Sequence, residues 1–394
     1  MNQNERASAR LRAVRRDGEQ VTPLELFFDL VFVLAITQCT KLMSDNPDWS
    51  GLGRALLLLA LLWWGWTAYA WLTSVVDPEE GAVRLVIFAA MAAFLVVALS
   101  VPTAFGDDAM IFAVAYGVVR VAHIALFLLA SRAQPALRRS VLGLTASTAL
   151  GVGLLIAGAF ASGGARDTLW IVALALDMAG PFFFGAQGWQ LVPRHFAERH
   201  GLIVIIALGE SIVAIGVGAG VELTFDVIVG AVIAVILAAG LWWAYFDVAS
   251  LMAARRLAEM PPGRQQNELA RDAYSYLHFP MIAGVVLAAF GIKKALHHVD
   301  EPLALVPAVA LAGGVGLYLL AHVAFKRRVM GTWSTQRVVA AVVIIALIPL
   351  WHEVDALVAL AGITALVAAL ILYETVRFAA VRDEERHRPR EHAD

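Results

Sequence analysis

The chain has 394 residues, 60% of them apolar and only 16% charged, with long uncharged runs that a soluble core of this size does not need. That composition excludes an ordinary soluble domain or a nucleic-acid binder and describes an all-α, polytopic transmembrane helix bundle, with the lipid bilayer as its partner. The net charge of −2 carries little information, because placement of charge matters more than its sum in a membrane protein, and the lone Cys39 excludes a disulfide within the chain.

A helix crossing about 30 Å of hydrocarbon needs roughly 20 residues. About twelve runs meet or approach that length, at 23–44, 51–74, 83–104, 109–131, 138–161, 168–190, 201–220, 224–250, 271–292, 303–325, 336–350 and 354–376. Ahead of them, residues 1–22 form a basic arm expected to stay attached and to lie at the anionic inner leaflet, with no cleavable signal peptide. The first span is entered through Thr22-Pro23, a cap followed by a first-turn proline. It then places Glu25 and Asp29 one helical turn apart on one face, inside a run that otherwise reads as lipid-soluble. Acids at membrane depth cost several kcal/mol unless paired, neutralised or wetted, so that face must look at protein or water.

The second span carries Trp63-Trp64-Gly-Trp66 and Trp71, an aromatic run deeper than an interfacial belt requires and best read as helix packing. In the fourth span Arg120 lies near the bilayer centre as the only Arg or Lys so placed, with His123 on the same face. A guanidinium there needs an acid partner or a water-filled cavity, and the candidate partners are Asp177 in the sixth span and Glu210 in the seventh; a pair that merely fixes helix register is the alternative. Gly209 is expected to allow close helix approach beside Glu210, and Gly216, Gly218 and Gly220 to mark a tight crossing or a fraying end. Asp247 closes the eighth span, either on the ion path or simply at the water interface. The stretch 251–270 reads as a solvated connector, and the ninth span follows with Tyr276, His278 and Pro280, whose ring leaves a backbone carbonyl to be satisfied. The eleventh span is short and ends at Pro349, and the charged tail 379–394 is expected to be solvated. His322 reads as a packing residue, and His297-His298 beside Asp300-Glu301 lack the ordered spacing of a structural zinc site. No metal and no cofactor are therefore expected.

With a cytoplasmic N-terminus, most Lys and Arg fall on the inner face, so both termini are expected in the cytoplasm of a bacterial inner membrane. An internal repeat supports the same count. Leu34-Ala35-Ile36 and Val213-Ala214-Ile215 are separated by the same offset as Trp63-Trp64 and Trp242-Trp243, and a larger offset aligns His123 with His322. The expected halves are 23–190 and 191–378, two six-helix repeats of parallel topology. By depth, Asp29, Glu210, His123 and His278 gather in the cytoplasmic half with Arg120 and Asp177 near the centre. Acids outnumber the one Arg in that layer, so the excess must be protonated, cation-bound or hydrated.

These residues also carry a resemblance. Leu24-Glu25-Leu-Phe-Phe-Asp29-Leu-Val-Phe32, Tyr116-x3-Arg120-x2-His123, Glu198-Arg199-x-Gly201, Leu208-Gly-Glu210-Ser211, Tyr245-Phe-Asp247 and Tyr276-x-His278-x-Pro280 together resemble the bacterial low-temperature-requirement A (LtrA) family over most of the chain. The family name refers to a growth trait and implies no particular reaction or substrate. Phe28-Asp29-Leu-Val31-Phe32 is also similar to the first-helix Phe-Ser-Asp motif of lysosomal and bacterial potassium channels built from six-helix units, although Phe28 stands where the serine would be and Glu25 where a basic residue would be.

The first functional expectation is a proton- or cation-linked transporter or channel. Its path would use Glu25, Asp29, Arg120, His123, Asp177, Glu210, Asp247 and His278, with a proton or monovalent cation as partner and a homodimer as an assembly state to test. A membrane-embedded enzyme acting on a lipid or isoprenoid is the second, set back by the lack of a nucleophile motif or phosphate-binding loop. A structural or sensory membrane protein is the third.

Overall fold

The computed structural model describes residues 19–79, 81–184, 188–220 and 223–387. The greater part of the basic arm, up to residue 18, and the end of the tail from residue 388 lie outside the described residues. Among the described residues the regular structure is helical, and an isolated antiparallel bridge joins Pro302 and Asp355. The helices are α1 (Pro23–Asp45), α2 (Trp49–Thr73), α3 (Gly81–Ser100), α4 (Ala109–Ala130), α5 (Pro135–Phe160), α6 (Gly164–Phe183), α7 (Pro193–Gly218), α8 (Phe225–Phe246) and α9 (Ala249–Glu259). They continue as α10 (Arg264–Leu269), α11 (His278–His297), α12 (Leu305–Met330), α13 (Thr335–Ala346), α14 (Ile348–Glu353), α15 (Ala356–Arg377) and α16 (Ala379–His387).

Ten helical stretches among the described residues are long and apolar enough to cross a membrane, two fewer than the sequence-based count. The shortfall has two physical causes. Helix α6 has the length but carries Arg166, Asp167 and Asp177, and α13 stops after 12 residues before Pro349 opens the short α14. The chain is a polytopic membrane protein whose helices keep large apolar side chains on their outer faces, as Leu26, Phe27 and Leu30 do on α1.

Two compact units divide the helices. The first runs to Arg199 and takes back Met260–Arg271; the second holds His200–Glu259 and the chain from Asp272 onward. In the first unit, α1 begins with a capping box, Thr22 accepting from the Glu25 N–H while the Glu25 carboxylate accepts from the Thr22 N–H at 2.9 Å. The apolar face of α1 packs Phe28 on Tyr69 and Phe32 on Trp66 of α2, with ring centroids 4.9 and 6.0 Å apart. Helices α5 and α6 meet through small residues: a Cβ at Gly158 would stand 2.5 Å from the Trp170 ring, whose indole N–H donates to the Leu155 carbonyl at 3.0 Å. The stretch 251–270 is not the solvated connector its composition suggests. It forms α9 and α10, and Asn267 is buried and donates to the Trp189 carbonyl at 3.0 Å, because an amide withdrawn from water needs a backbone partner.

In the second unit a π-helical turn, Ala270–Tyr276, leads into α11. It widens the backbone just ahead of Pro280, which has no N–H to give the carbonyl of Tyr276 four residues back. Gly209 has open space around it and allows no close approach; the tight crossing falls instead at Gly218, where a Cβ would meet the Lys293 carbonyl at 2.7 Å. Helices α11 and α12 cross more closely still, a Cβ at Gly284 standing 2.6 Å from the Gly314 carbonyl and the reverse at the same distance.

That crossing yields a stability prediction. Gly284→Leu is expected to cost about 1–3 kcal/mol, as overpacked cores do, and to lower the thermal midpoint in detergent by roughly 2–4 °C per kcal/mol. Gly216→Ala, at a helical position with open space, is expected to leave the midpoint unchanged. Equal midpoints for both variants would remove the close crossing as a source of stability.

Candidate functional site

Two pairs of residues spaced by one turn face each other in the first unit. Helix α1 offers Glu25 and Asp29, and α7 offers His195 and Arg199, all four at 1% exposure or less. The spacing sets the match: residues four apart on a helix stack on one face, so the upper member of each pair meets one neighbour and the lower member the next. His195 Nε2 lies 2.9 and 3.1 Å from the two Glu25 carboxylate oxygens. Because an ionised carboxylate only accepts, Nε2 carries the hydrogen and His195 donates to Glu25. Arg199 Nη1 donates to Glu25 Oε1 at 3.2 Å and to the Thr73 hydroxyl at 3.0 Å, while its Nη2 donates to Asp29 Oδ1 at 2.6 Å. One guanidinium thus spans both acids.

Helix α2 closes the cluster. The Trp66 indole N–H donates to Asp29 Oδ1 at 2.7 Å, and the Arg199 guanidinium lies over the Trp66 ring with its carbon 5.4 Å from the centroid. Thr22 completes the shell of Glu25 through its N–H and its hydroxyl, at 2.9 and 3.1 Å from Oε2. Asp29 Oδ2, by contrast, is buried with no hydrogen-bond partner among the described residues. Beside the cluster, a water-sized gap is lined by Glu25, Arg199 and Thr73 together with Tyr69, Phe28 and Ile87.

The first unit holds a second buried ion pair. Arg120 Nη2 contacts both oxygens of Asp177, at 2.9 and 2.8 Å, and donates to the Thr148 hydroxyl at 2.8 Å, which itself donates to Asp177 at 2.8 Å. Of the two acids that the sequence offers Arg120, the partner is Asp177. His123 is buried, its ring against Tyr69 and Phe127 at centroid distances of 5.7 and 4.9 Å.

The remaining expected site residues belong to the second unit. Glu210 is buried there. His278 Nε2 accepts from the Tyr245 hydroxyl at 2.8 Å and its Nδ1 donates to the Ala273 carbonyl at 3.0 Å, the π-helical turn bringing that carbonyl within reach. Asp247 is held by Arg382, whose Nη2 donates at 2.9 Å. A further, partly buried pair that sequence reasoning passed over links Arg337 and Glu374 with two parallel bonds of 2.8 and 2.7 Å, the same guanidinium donating to His322 Nδ1 at 2.7 Å. Among the described residues no three His, Cys, Asp or Glu side chains come together as a metal-holding group.

Two sequence-based statements need correction. Arg199, which the reading placed on the inner face because it started the seventh span at residue 201, is buried in the protein as Arg120 is, because α7 begins at Pro193 and carries Arg199 almost two turns inside. The excess of acid is correspondingly smaller: in the first unit Glu25, Asp29 and Asp177 face Arg199 and Arg120. The signal for the missed residues was present as a second one-turn pair, His195 and Arg199, matching Glu25 and Asp29.

Residues 20–372 match the family model described as bacterial low temperature requirement A protein (LtrA). The chain is also 31% identical, over 331 residues and 80% of the length of each protein, to a protein of Rhizobium meliloti (strain 1021) described as uncharacterized. No solved structure matches the chain. The matched stretch includes Glu25, Asp29, Arg120, Asp177, His195 and Arg199, and the chain belongs to the bacterial low temperature requirement A family.

Proposed function

We propose that this chain is a proton- or cation-linked transporter or channel of the bacterial cytoplasmic membrane, with a path through the two carboxylates of α1. The observation that carries the reading is Asp29: fully buried, one oxygen held by Trp66 and Arg199, the other with no donor, in a cluster of two acids and one guanidinium. An ionised carboxylate oxygen left without a donor in an apolar bundle costs several kcal/mol unless a positive species or water meets it. A bundle selected only for packing would gain by replacing the group; a site that takes up and releases a positive charge requires it.

In this proposal Arg120 with Asp177 sets the local charge of the first unit, where His123 is a further buried polar group, and Glu210 and His278 are the buried polar groups proposed to act within the second unit. Asp247, tied to Arg382, acts as an anchor at the end of α8. The proposed topology has two six-helix halves, 23–190 and 191–378, in which α6 and the broken α13–α14 segment also cross, and cytoplasmic termini, supported by the concentration of Lys and Arg in alternate loops.

Reconstitution tests the proposal. In liposomes carrying pH and potassium gradients, the wild-type protein is expected to pass protons or cations, and Asp29→Asn to abolish that flux while the protein stays folded; undiminished flux in the variant would remove Asp29 from the path. Two stability measurements accompany it. Arg199→Leu leaves two buried acids without their guanidinium and is expected to cost about 3–5 kcal/mol, part of which Asp29→Asn in the same chain restores. Arg120→Leu is expected to behave alike, with rescue by Asp177→Asn and none by Glu210→Gln, in a double-mutant cycle read by chemical denaturation.

A further inference from the structure

We infer that the ion this site carries is the proton, taken up on Asp29 Oδ2, and that sodium and potassium are not ligands of the cluster. The inference deepens the transport reading and rests on it only for what the proton is used for.

A hard metal cation is held by a shell of several oxygens, each turning a lone pair towards it. In the cluster those lone pairs already face hydrogens. Glu25 Oε2 accepts from the Thr22 N–H and hydroxyl, and Oε1 from His195 and Arg199. Asp29 Oδ1 accepts from the Trp66 indole and from Arg199, and the Thr73 hydroxyl oxygen accepts from Arg199 as well. A cation approaching any of these oxygens meets a positively polarised hydrogen in its path. One oxygen remains, Asp29 Oδ2, buried and without a donor. A single oxygen cannot build a coordination shell, but it can form one O–H bond.

The donors around Asp29 lead to the same species. Among the described residues the charged and titratable groups bonded within the cluster are Glu25 from α1 itself and His195 and Arg199 from α7, with Trp66 and Thr73 polar groups from α2. One proton on Oδ2 neutralises that carboxylate without disturbing Oδ1, which keeps both of its donors.

Infrared difference spectroscopy on the full chain reconstituted in lipid tests the assignment directly. On acidification a protonated-carboxyl C=O band is expected to appear, to move to lower wavenumber in D2O, to be unaffected by exchange of sodium or potassium for choline, and to be lost in Asp29→Asn. Should the Asn variant fail to fold, Trp66→Phe decides. It removes the hydrogen bond to Oδ1, the carbonyl oxygen of the protonated acid, so the band is expected to move to higher wavenumber. The assignment is overturned if no such band forms, if it survives in Asp29→Asn, if it stays in place in Trp66→Phe, or if sodium or potassium titrates it away. The two readings fail separately. Potassium-driven flux at clamped pH with no carboxyl band would overturn the proton assignment and leave transport standing, whereas the band in a protein without flux would uphold the assignment and remove the transport reading.

Discussion

The guanidinium of Arg199, shared between Glu25 and Asp29, is the contact on which the first unit depends, because it lets two acids on α1 stay inside an apolar bundle. Desolvating an ion costs several kcal/mol, and the attraction of a partner repays this only where the remaining lone pairs are satisfied too. Here they nearly are. Thr22, His195, Trp66 and Arg199 fill three of the four carboxylate oxygens, and the exception is the oxygen of Asp29 to which the chemistry is assigned.

The same solution recurs with different residues. Arg120 with Thr148 and Asp177 in the first unit, and Arg337 with His322 and Glu374 in the second, are also guanidiniums held by an acid plus a neutral acceptor. The planar guanidinium suits such sites because its donors are fixed in a fork and several acceptors can share it. These two pairs balance acid against base one for one, so they can specify helix register without leaving charge over. The α1 cluster instead joins two acids to one guanidinium.

Packing and polarity divide the labour. Small residues set the distances, as Gly284 against Gly314 and Gly158 against Trp170 show, since no other side chain fits where a Cβ would meet a backbone carbonyl or an indole ring. Aromatic residues do both tasks at the site: the Trp66 ring packs on Phe32 while its N–H holds Asp29, and the Tyr69 ring packs on Phe28 while its hydroxyl reaches the Val119 carbonyl at 3.0 Å.

Much of this could be read from the amino-acid sequence. Composition and run length determine a polytopic helical membrane protein, the one-turn spacing of Glu25 and Asp29 places both acids on one buried face, and Arg120 in an apolar run demands an acid. Those conclusions follow from local chemistry, which a single helix carries in itself. Which partner meets which was decided only by the tertiary structure. Asp177 rather than Glu210 receives Arg120, Trp66 turns from a packing residue into a donor, and Arg199, read as an inner-face charge, enters the interior because α7 starts earlier than the apolar run that marks it. Contacts between residues as far apart as Asp29 and Arg199 depend on which helices pack together, and hydrophobic periodicity reports the face a helix buries, not the neighbour it buries that face against.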